Sequence, residues 1–474
     1  MRLRVPIAAG AGALLVAAGG LFASVQAHGS SVHGPSAQEI HRAAELRASQ
    51  VGIHKIKHVV VIMQENRSFD DYFGTYPGAD GIPPGVCVPD PLHGGCQKPF
   101  VDHDNFTQGG VHNNPAFMTD VDGGKMDGFL AEAESGCAAG QPCNPVVMSH
   151  HVKSDIPNYW AYAQNYVLND RMFESDHSWS LPAHLYEVSA WSADCKNVQD
   201  PMSCKGATMP VLISSSDPTP FGWTDLTWLL NKFGVSWGYY LDHGARSSTD
   251  PQGVPPIWNV LPGFTDLQQP PGSGVQPLSN FTSQAAAGAL PAVSWIIPDP
   301  TDSEHPPSLV STGQAYVTNI INTVMRSSDW NSTAIFLAWD DWGGFYDNVN
   351  PLRYAPDSLG YGIRVPGLVI SPYAKKGFID PQTLSFDAYL KFIEEDFLGG
   401  QALDPASDGR PDPRPDVREQ SPILGDLSLD FNFTQLPRPP MFLTPCPLTT
   451  LVNPAPNPTC TNSVALNVKS WGDS

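Results

Sequence analysis

Positive charge is scarce in this sequence. Lysine and arginine number 26 against 47 aspartates and glutamates, which gives the 474 residues a formal net charge of −21. A surface this acidic repels nucleic acid and anionic membranes, so we expect no nucleic-acid partner. A small phosphorylated substrate is not excluded, because a local patch or a metal ion can offset the charge.

Charged residues of either sign are also few, at 15% of the sequence, whereas glycine and proline number 42 and 47. This composition is typical of a protein with many loops rather than long helices. The hydrophobic fraction of 41% can supply a sizeable core. The length fits one large α/β domain or two smaller ones.

A long apolar run occurs only at the N-terminus. Arg2 and Arg4 precede the apolar stretch from Val5 to Phe22, and the tripeptide 25–27 (VQA) fits a small-residue cleavage site. We therefore predict a signal peptide over residues 1–27 and a secreted or cell-envelope location, with an uncleaved membrane anchor as the alternative. Because no later segment is long and apolar enough to span a bilayer, we expect no stable membrane span after cleavage.

Cysteine pairs with CxxC spacing, a common metal signature, are absent. The eight cysteines instead fall into four neighbouring pairs: Cys87 and Cys96, Cys137 and Cys143, Cys195 and Cys204, Cys446 and Cys460. In an oxidising compartment this spacing favours short-range disulfides, although the sequence does not fix the connectivity. A thiolate metal site is the alternative.

Strands alternate with helices in the part of the chain that is rich in apolar residues. The pattern predicts strands at 58–63, 235–241, 292–297, 333–338 and 368–370, and helices at 316–326 and 387–397. Such alternation implies an α/β fold with a mostly parallel central sheet and crossover helices. Residues 28–54 form a polar N-terminal segment with a short helix, 55–400 a catalytic domain, and 401–474 an irregular tail rich in proline and aspartate.

Oxygen-bearing side chains follow two of the predicted strands. Glu65 and Asn66 come directly after the run VVVIM, and Asp340 and Asp341 follow the strand that contains Ile335. Open α/β sheets bind ligands beyond the carboxyl ends of their strands, and hard cations prefer oxygen ligands. We favour one shared metal site, although each segment alone also fits a capped turn.

One serine and several histidines are candidates for the chemistry. Ser180 stands before Leu181-Pro182 and a predicted helix from Ala183, where backbone N–H groups stabilise negative charge; its alternative role is a plain helix cap. His305 follows another predicted strand and could bind phosphate oxygens or protonate a leaving group; a hydrogen bond to backbone is the alternative. His103, His112 and His243 are weaker candidates of the same kind.

Residues from about Lys55 to Leu398 resemble the bacterial phosphoesterase family, which contains the phosphatidylcholine-type phospholipases C and a related acid phosphatase. The resemblance is carried, in chain order, by HVVVIMQENRSFDDYFGTYPG, GGKMDGF, DIPNYWAYAQNYVLNDRMF, SEHPP, DDWGGFYDN and RVPGLVISPY. It implies an alkaline-phosphatase-like fold, a three-layer sandwich around the mostly parallel sheet, with one bound metal ion.

The resemblance also implies roles for individual residues. The positions that match the family's metal ligands are Glu65, Asn66, Ser180, Asp340 and Asp341. Ser180 matches the nucleophile that forms a phosphoseryl intermediate, His305 a phosphate-contacting histidine, and His103 an earlier histidine of that kind. His243 is a looser match. The expected cofactor is one divalent ion, calcium, magnesium or manganese. The expected substrate is a phosphate mono- or diester, with a phospholipid as one candidate.

The sequence departs from the phospholipase pattern where substrate is expected to bind. Ala183-His184 replaces Asn-Arg, Asn348 replaces the histidine of FYDHV, and the stretch from Asp387 to Leu390 replaces a DHTS-like segment. These departures put the phospholipid substrate in doubt more than phosphoester chemistry. One rival function is a catalytically silent exported protein that binds a phospholipid or glycan. A sulfatase would need an arginine shortly after the serine and proline, and this sequence has none there. A phosphomutase would need a two-metal ligand set, which the sequence does not show.

Overall fold

The structure is a computed structural model that describes residues 34–135, 137, 145–195, 204–206, 221–270, 274–352, 360–410, 414 and 416–455. The predicted signal peptide lies outside these residues. The helices of the described chain are α1 (Ala37–Ala48), α2 (Phe69–Phe73), α3 (Asn114–Val121), α4 (Phe129–Ser135), α5 (Pro157–Asn165), α6 (Ser180–Ser189), α7 (Leu226–Lys232), α8 (Leu278–Ala287), α9 (Val310–Arg326) and α10 (Asp387–Phe397).

The strands form one large sheet and three small ribbons. They are β1 (His58–Gln64), β2 (Val88–Pro89), β3 (Cys96–Gln97), β4 (Phe100–Val101), β5 (Ser149–His150), β6 (Val167–Asn169), β7 (Ala193–Cys195), β8 (Cys204–Gly206), β9 (Trp237–Leu241), β10 (Gly274–Pro277), β11 (Val293–Ile297), β12 (Thr333–Trp339), β13 (Gly367–Ile370) and β14 (Phe378–Asp380). The large sheet has 8 strands in the order β10-β9-β11-β1-β12-β13-β6-β14.

The large sheet is mostly parallel, as the sequence predicts. Only β13 runs antiparallel to its neighbours β12 and β6. The connection from β12 to β13 contains no helix among its described residues. An antiparallel neighbour needs no crossover helix, which explains the reversal at this point.

Strand β1 lies inside the sheet, between β11 and β12. Val59 to Gln64 are buried on both faces, which accounts for the continuous apolar run in the sequence. The five predicted strands are all present, although β9 begins at Trp237 rather than at residue 235. Helix α10 has the predicted bounds, whereas α9 begins earlier than predicted, at Val310.

Helices cover both faces of the sheet. Phe336 of β12 stacks on Tyr389 of α10 with ring centroids 5.1 Å apart. Trp339 of the same strand meets Tyr159 of α5 edge-on at 5.1 Å. Because alternate residues of a strand point to opposite faces, α10 and α5 lie on opposite sides of the sheet. The predicted three-layer α/β arrangement is therefore confirmed.

The segments on either side of the sheet-forming part pack against it. Helix α1 begins at a capping box formed by Ser36 and Glu39, within the predicted polar segment. The described C-terminal segment has two short 3₁₀ turns, and its Arg438 donates to the carbonyl of Asn165 at 2.6 Å. None of the helices in the described ranges is long and apolar enough to cross a membrane.

The described residues include some of the cysteines for which short-range disulfides are predicted. Cys87 and Cys96 form a disulfide, as predicted. Cys137 and Cys446 are also disulfide-bonded, and their predicted partners Cys143 and Cys460 lie outside the described residues. Strands β7 and β8 pair antiparallel, and this pairing places residue 195 opposite residue 204 in the backbone register.

Candidate active site

The ends of β1 and β12 bring two acidic segments together. The strands run parallel with Gln64 opposite Trp339, so Glu65 and Asp340 leave the sheet side by side. The amide of Asp340 donates to the carbonyl of Gln64 at 2.9 Å, which extends the ladder to the end of β1. The amide of Asn66 donates to Asp340 Oδ1 at 2.8 Å. The predicted meeting of these residues at one sheet edge therefore occurs.

The side-chain amide of Asn66 has a defined orientation. His112 Nδ1 donates to the carbonyl of Gly110 at 2.9 Å, so Nε2 of the neutral ring accepts from Asn66 Nδ2 at 2.9 Å. The remaining amide oxygen, Asn66 Oδ1, is buried and has no hydrogen-bond partner among the described residues. Asn66 has a φ of 60°, a left-handed conformation that asparagine tolerates better than most residues. Its backbone and amide together direct a free oxygen at the site.

Ser180 lies at the start of α6 and contacts both acidic segments. Its hydroxyl oxygen is 3.2 Å from Glu65 Oε2 and 3.3 Å from Asp341 Oδ2, and it can donate to either. The helix begins at Ser180 itself, earlier than the predicted Ala183, and the capping position belongs to Trp179, which makes no side-chain cap. Ser180 is therefore not a helix cap, and its side chain is free to act at the cluster.

Crowding of buried carboxylates dominates the electrostatics. Burial, together with the charge of Asp340, raises the pKa of Glu65 well above its usual value. Burial and the charges of Asp340 and Glu65 raise the pKa of Asp341 in the same way. Burial also opposes ionisation of Asp340, but the neighbouring Glu65, His184 and Ser180 and the backbone amide of Asn66 lower its pKa overall. Such a group of acids is stabilised by a positive charge among them.

The donor set of this cluster fits a divalent ion. Asn66 Oδ1 and Asp340 Oδ2 are buried oxygens without a hydrogen-bond partner among the described residues. Glu65, His184 and Asp340 each offer one ligand atom, and these atoms lie within 4.8 Å of one another. Buried polar oxygens are nearly always satisfied, so two unsatisfied oxygens in this cluster of acids fit a bound cation.

His305 lies beside this cluster. Its Nδ1 donates to the carbonyl of Pro306 at 2.6 Å, which leaves Nε2 available as the second ring nitrogen. Its ring lies 6.0 Å from that of His112 and 5.8 Å from that of Trp258, measured between centroids. Since His112 contacts Asn66, a phosphate at Ser180 would lie in the neighbourhood of His305.

The family of the chain follows from a match over most of its length. The sequence model of the phosphoesterase family matches residues 56–398. The chain belongs to the phosphoesterase family. This match covers most of the chain and includes both strand ends, Ser180 and His305. The chain is accordingly a hydrolase of phosphoric esters, and the resemblance found in the sequence is confirmed.

Several relatives of this phosphoesterase carry the name phospholipase C. Phospholipase C A of Mycobacterium tuberculosis is 27% identical over 433 residues, which cover 81% of this chain and 78% of the relative. Non-hemolytic phospholipase C of Pseudomonas aeruginosa is 25% identical over 437 residues, 80% of this chain and 57% of the relative. Non-specific phospholipase C1 of Arabidopsis thaliana is 26% identical over 366 residues, 68% of this chain and 62% of the relative.

Among solved structures, this phosphoesterase is similar to a protein of the alkaline phosphatase superfamily from Vibrio parahaemolyticus. The TM-score is 0.36 and the sequence identity is 11%, with 79% of this chain and 78% of the other covered. The α/β class and the mostly parallel sheet follow from the strand order described above.

Two other predicted histidines lie in different surroundings. His103 Nδ1 donates to Asp155 Oδ1 at 2.8 Å, and its half-exposed ring lies against Thr450 of the C-terminal segment. None of its described contacts involves the Ser180 cluster, so its assignment as a catalytic residue stays a prediction. His243 follows β9 and pairs with Asp299 after β11.

Two further residues of the cluster, His184 and Glu187, lie on α6 below Ser180. His184 Nε2 lies 2.7 Å from Glu65 Oε1, and His184 Nδ1 lies 3.4 Å from Glu187 Oε2, all fully buried. Ser180, His184 and Glu187 are spaced by four and three positions on α6, so they share one helix face. That spacing was visible in the sequence and could have associated both residues with the serine.

Glu304, which the sequence placed beside His305, has a different environment. Its carboxylate is buried and accepts hydrogen bonds from Tyr72 at 2.6 Å, Tyr159 at 2.5 Å and Trp339 at 3.1 Å. The backbone amide of Glu65 donates to the carbonyl of the neighbouring Ser303 at 2.9 Å. These contacts fix the loop after β11 against the loop after β1 and thereby position His305 near the site.

Proposed function

We propose that this phosphoesterase is an exported, metal-dependent enzyme that hydrolyses phosphate mono- or diesters with Ser180 as the nucleophile. The observation that carries the proposal is the position of the Ser180 hydroxyl. It lies within 3.3 Å of carboxylate oxygens from two different strand ends, at the first turn of α6. A plain surface or capping serine has no such set of partners.

The proposed reaction has two displacements. Ser180 Oγ attacks phosphorus, a bond forms between them, and the ester oxygen leaves with its electron pair. The hydroxyl proton passes first to a neighbouring carboxylate, for which Glu65 and Asp341 lie at hydrogen-bond distance. Water then attacks the phosphoserine, which releases phosphate or a phosphomonoester and restores the serine.

The first turn of α6 stabilises charge in both steps. The helix has ten residues from Ser180, and its leading N–H groups lack partners within the helix. The N-terminus of a helix favours phosphate because these groups donate and the helix dipole is positive there. Stabilising the phosphoryl oxygens is the main requirement of phosphoryl transfer.

The residues that would hold the metal ion are Glu65, Asn66, Ser180, Asp340 and Asp341. Two of their oxygens, Asn66 Oδ1 and Asp340 Oδ2, are buried without a hydrogen-bond partner in the described chain. Bound there, a divalent ion would lower the pKa of the serine hydroxyl and offset negative charge on the phosphoryl group. Calcium, magnesium and manganese are the ions expected from the oxygen ligands alone.

His305 is proposed to act on the phosphate side of the site. Its Nδ1 is fixed by the carbonyl of Pro306, so Nε2 is the nitrogen that can contact a phosphate oxygen or give a proton to the leaving group. His103 is proposed in the same role, with its interaction with Asp155 orienting the ring. Of the two, His305 has the stronger support, because its ring neighbours His112 and Trp258 line the cluster.

The relatives named phospholipase C support a phosphoester substrate, with a phospholipid as one candidate. The departures at Ala183-His184 and Asn348 favour a substrate that differs from phosphatidylcholine. The N-terminal Arg2, the apolar run and the small-residue site at 25–27 support export to the cell envelope or medium. No nucleic-acid partner is expected at a net charge of −21.

The proposal is tested with p-nitrophenyl phosphate and p-nitrophenyl phosphorylcholine, each assayed with and without a chelator. We expect hydrolysis of at least one substrate, loss of it after chelation, and recovery when a divalent ion is returned. Ser180→Ala should lower kcat by about 10⁴-fold or more, as removal of a nucleophile does in other hydrolases.

The matched control for that variant is Ser178→Ala. Ser178 is buried two residues upstream, and its hydroxyl has no hydrogen-bond partner among the described residues. Its activity should stay within a few-fold of the wild type. A silent binding protein would hydrolyse neither substrate, and full activity in Ser180→Ala or after chelation would rule out the serine or the metal.

A further inference from the structure

His184 lies between two buried carboxylates. Its Nε2 is 2.7 Å from Glu65 Oε1, and its Nδ1 is 3.4 Å from Glu187 Oε2, and no part of the three side chains is exposed. Trp258 closes one side of the ring with centroids 6.5 Å apart. The imidazole therefore has one edge at the proposed metal site and the other at a carboxylate of its own helix.

The two ring nitrogens have different partners, and their roles depend on which of them carries the proton. With the proton on Nε2, the ring donates to Glu65 at 2.7 Å and turns the lone pair of Nδ1 towards Glu187 at 3.4 Å. With the proton on Nδ1, the lone pair of Nε2 faces the Glu65 oxygen, which is unfavourable unless a positive charge lies beside both atoms. A cation bound by both Nε2 and Glu65 removes this repulsion.

The contact with Glu187 also fits a metal-bound histidine. Histidine ligands almost always direct their other ring N–H at a carboxylate, a carbonyl or water, which fixes the ring and increases its basicity. Glu187 is buried, and neither of its carboxylate oxygens has a hydrogen-bond partner in the described structure apart from the 3.4 Å approach of His184. Glu187 therefore has the position of an orienting carboxylate for His184.

We propose that His184 Nε2 is a further ligand of the ion held by Glu65 and Asp340, and that the site consequently selects a first-row transition-metal ion, such as Mn²⁺, Fe²⁺ or Zn²⁺, over Ca²⁺ and Mg²⁺. The ligand atoms of Glu65, His184 and Asp340 lie within 4.8 Å of one another, as one ion requires. Imidazole nitrogen suits Fe²⁺ and Zn²⁺ and is accepted by Mn²⁺, which also binds oxygen ligands, whereas calcium and magnesium prefer oxygen alone. The inference rests on the proposed metal-dependent function and adds the ligand and the class of ion.

The test measures binding rather than turnover. Purified protein, stripped with a chelator, is titrated with Mn²⁺, Zn²⁺, Ca²⁺ and Mg²⁺ in separate and competing calorimetric experiments. Mn²⁺-loaded protein is then examined for imidazole nitrogen in its electron spin echo envelope modulation. We expect Mn²⁺ and Zn²⁺ to bind more than about tenfold tighter than Ca²⁺ and Mg²⁺, with a clear imidazole signal.

Two variants and one control locate that nitrogen. His184→Gln should abolish the imidazole signal and weaken Mn²⁺ affinity more than about tenfold, with a smaller change for Ca²⁺. Glu187→Gln should keep the signal and weaken Mn²⁺ binding about 10–100-fold, and it serves if His184→Gln does not fold. The control is His58→Gln, at the start of β1, where His58 Nδ1 contacts the carbonyl of Pro291. It should change neither the imidazole signal nor the Mn²⁺ affinity.

The outcomes separate the two proposals. An imidazole signal and Mn²⁺ affinity that are unchanged in His184→Gln, or a preference of the wild type for Ca²⁺ or Mg²⁺, would overturn the inference while the proposed metal-dependent hydrolysis stands. Failure of the wild type to bind any divalent ion would overturn both.

Discussion

Ser180 shows how much of the site depends on single positions. Its hydroxyl reaches Glu65 and Asp341 because α6 starts at Ser180 instead of being capped by it. The adjacent Asn66 adopts a left-handed backbone, and His112 fixes the direction of its amide. None of these contacts is between sequence neighbours, so the sequence supplied the residue types but not the hydroxyl's partners.

A single buried histidine, His150, makes the stability of the fold depend on pH. Burial, assisted by the neighbouring His151, lowers the pKa of His150 from 6.5 to about 4 in the folded protein. Between those values the unfolded chain binds more protons than the folded chain, so the free energy of unfolding should fall as the pH decreases from 6.5 to 4.

The substitution His150→Gln tests this term. We expect urea unfolding of the wild type to lose at most about 1.4 kcal/mol per pH unit more than the variant within that window, and the two slopes to agree above pH 7. Equal slopes below pH 6 would show that His150 is not buried in its neutral form.

At the scale of elements, a glycine after β12 allows two loops of the site to approach each other. Gly343 has a φ of 61°, and a Cβ added there would lie 2.7 Å from the carbonyl oxygen of Asn66. The amide of Gly343 also donates to Asp341 Oδ1 at 2.7 Å. The tight turn after β12 therefore holds the proposed metal ligand Asp341 and packs directly on the proposed ligand Asn66.

Gly343→Ala should disturb the site and lower stability. The control is Gly123→Ala, since Gly123 has a φ of 63° and open space around its Cα. Both variants carry the backbone cost of a left-handed alanine, about 1–2 kcal/mol, but only Gly343→Ala adds a collision, worth about 1–3 kcal/mol more. Urea unfolding and kcat measure the two effects. Equal losses in both variants would contradict the close approach to Asn66.

The elements themselves were largely predictable, and the reasons are physical. Strand β1 is buried on both faces and reads as an unbroken apolar run, and β12 ends in two acids at the edge where ligands bind. Helix α9 begins at Val310, before its predicted start, and its first turns include Gly313, a residue that is normally a weak helix former. A Cβ at Gly313 would collide with the buried Glu304 side chain at 2.1 Å.

His184 and Glu187 could not be placed in the site from local sequence in the same way. A histidine and a glutamate on an amphipathic helix usually face solvent, and only the fold shows that α6 is buried along its whole length. In the sequence, position 184 stands out solely as a departure from the phospholipase pattern. The helical spacing from Ser180 is the one signal that connects it to that serine.

At the scale of the whole molecule, a buried arginine joins segments that are distant in the chain. Arg364 donates to Asp347 Oδ1 at 2.9 Å and to the carbonyls of Asp80 and Asp170 at 2.9 and 3.0 Å. It also pairs with Asp70 at 3.4 Å, just beyond the Glu65 loop. Its guanidinium therefore connects the loop after β1 to the connection between β12 and β13.

Arg364→Met should destabilise the fold strongly, because Asp70 and Asp347 would then be buried without their cation. We expect a loss of about 3–5 kcal/mol in urea unfolding. The control is Arg171→Met, whose contact with Asp80 at 3.4 Å is partly exposed and should cost no more than about 1 kcal/mol. A small and equal effect in both variants would mean that Arg364 is not paired inside the protein.

The central claim is that Ser180 becomes phosphorylated during hydrolysis. The most direct measurement is rapid acid quenching of the metal-loaded enzyme with a reactive p-nitrophenyl phosphoester, followed by peptide mass mapping. We predict one phosphate per trapped chain on the peptide that contains Ser180, and none on that peptide in Ser180→Ala. Steady hydrolysis with phosphate on a different residue, or with no trapped phosphate at all even when the second displacement is slowed, would contradict the claim.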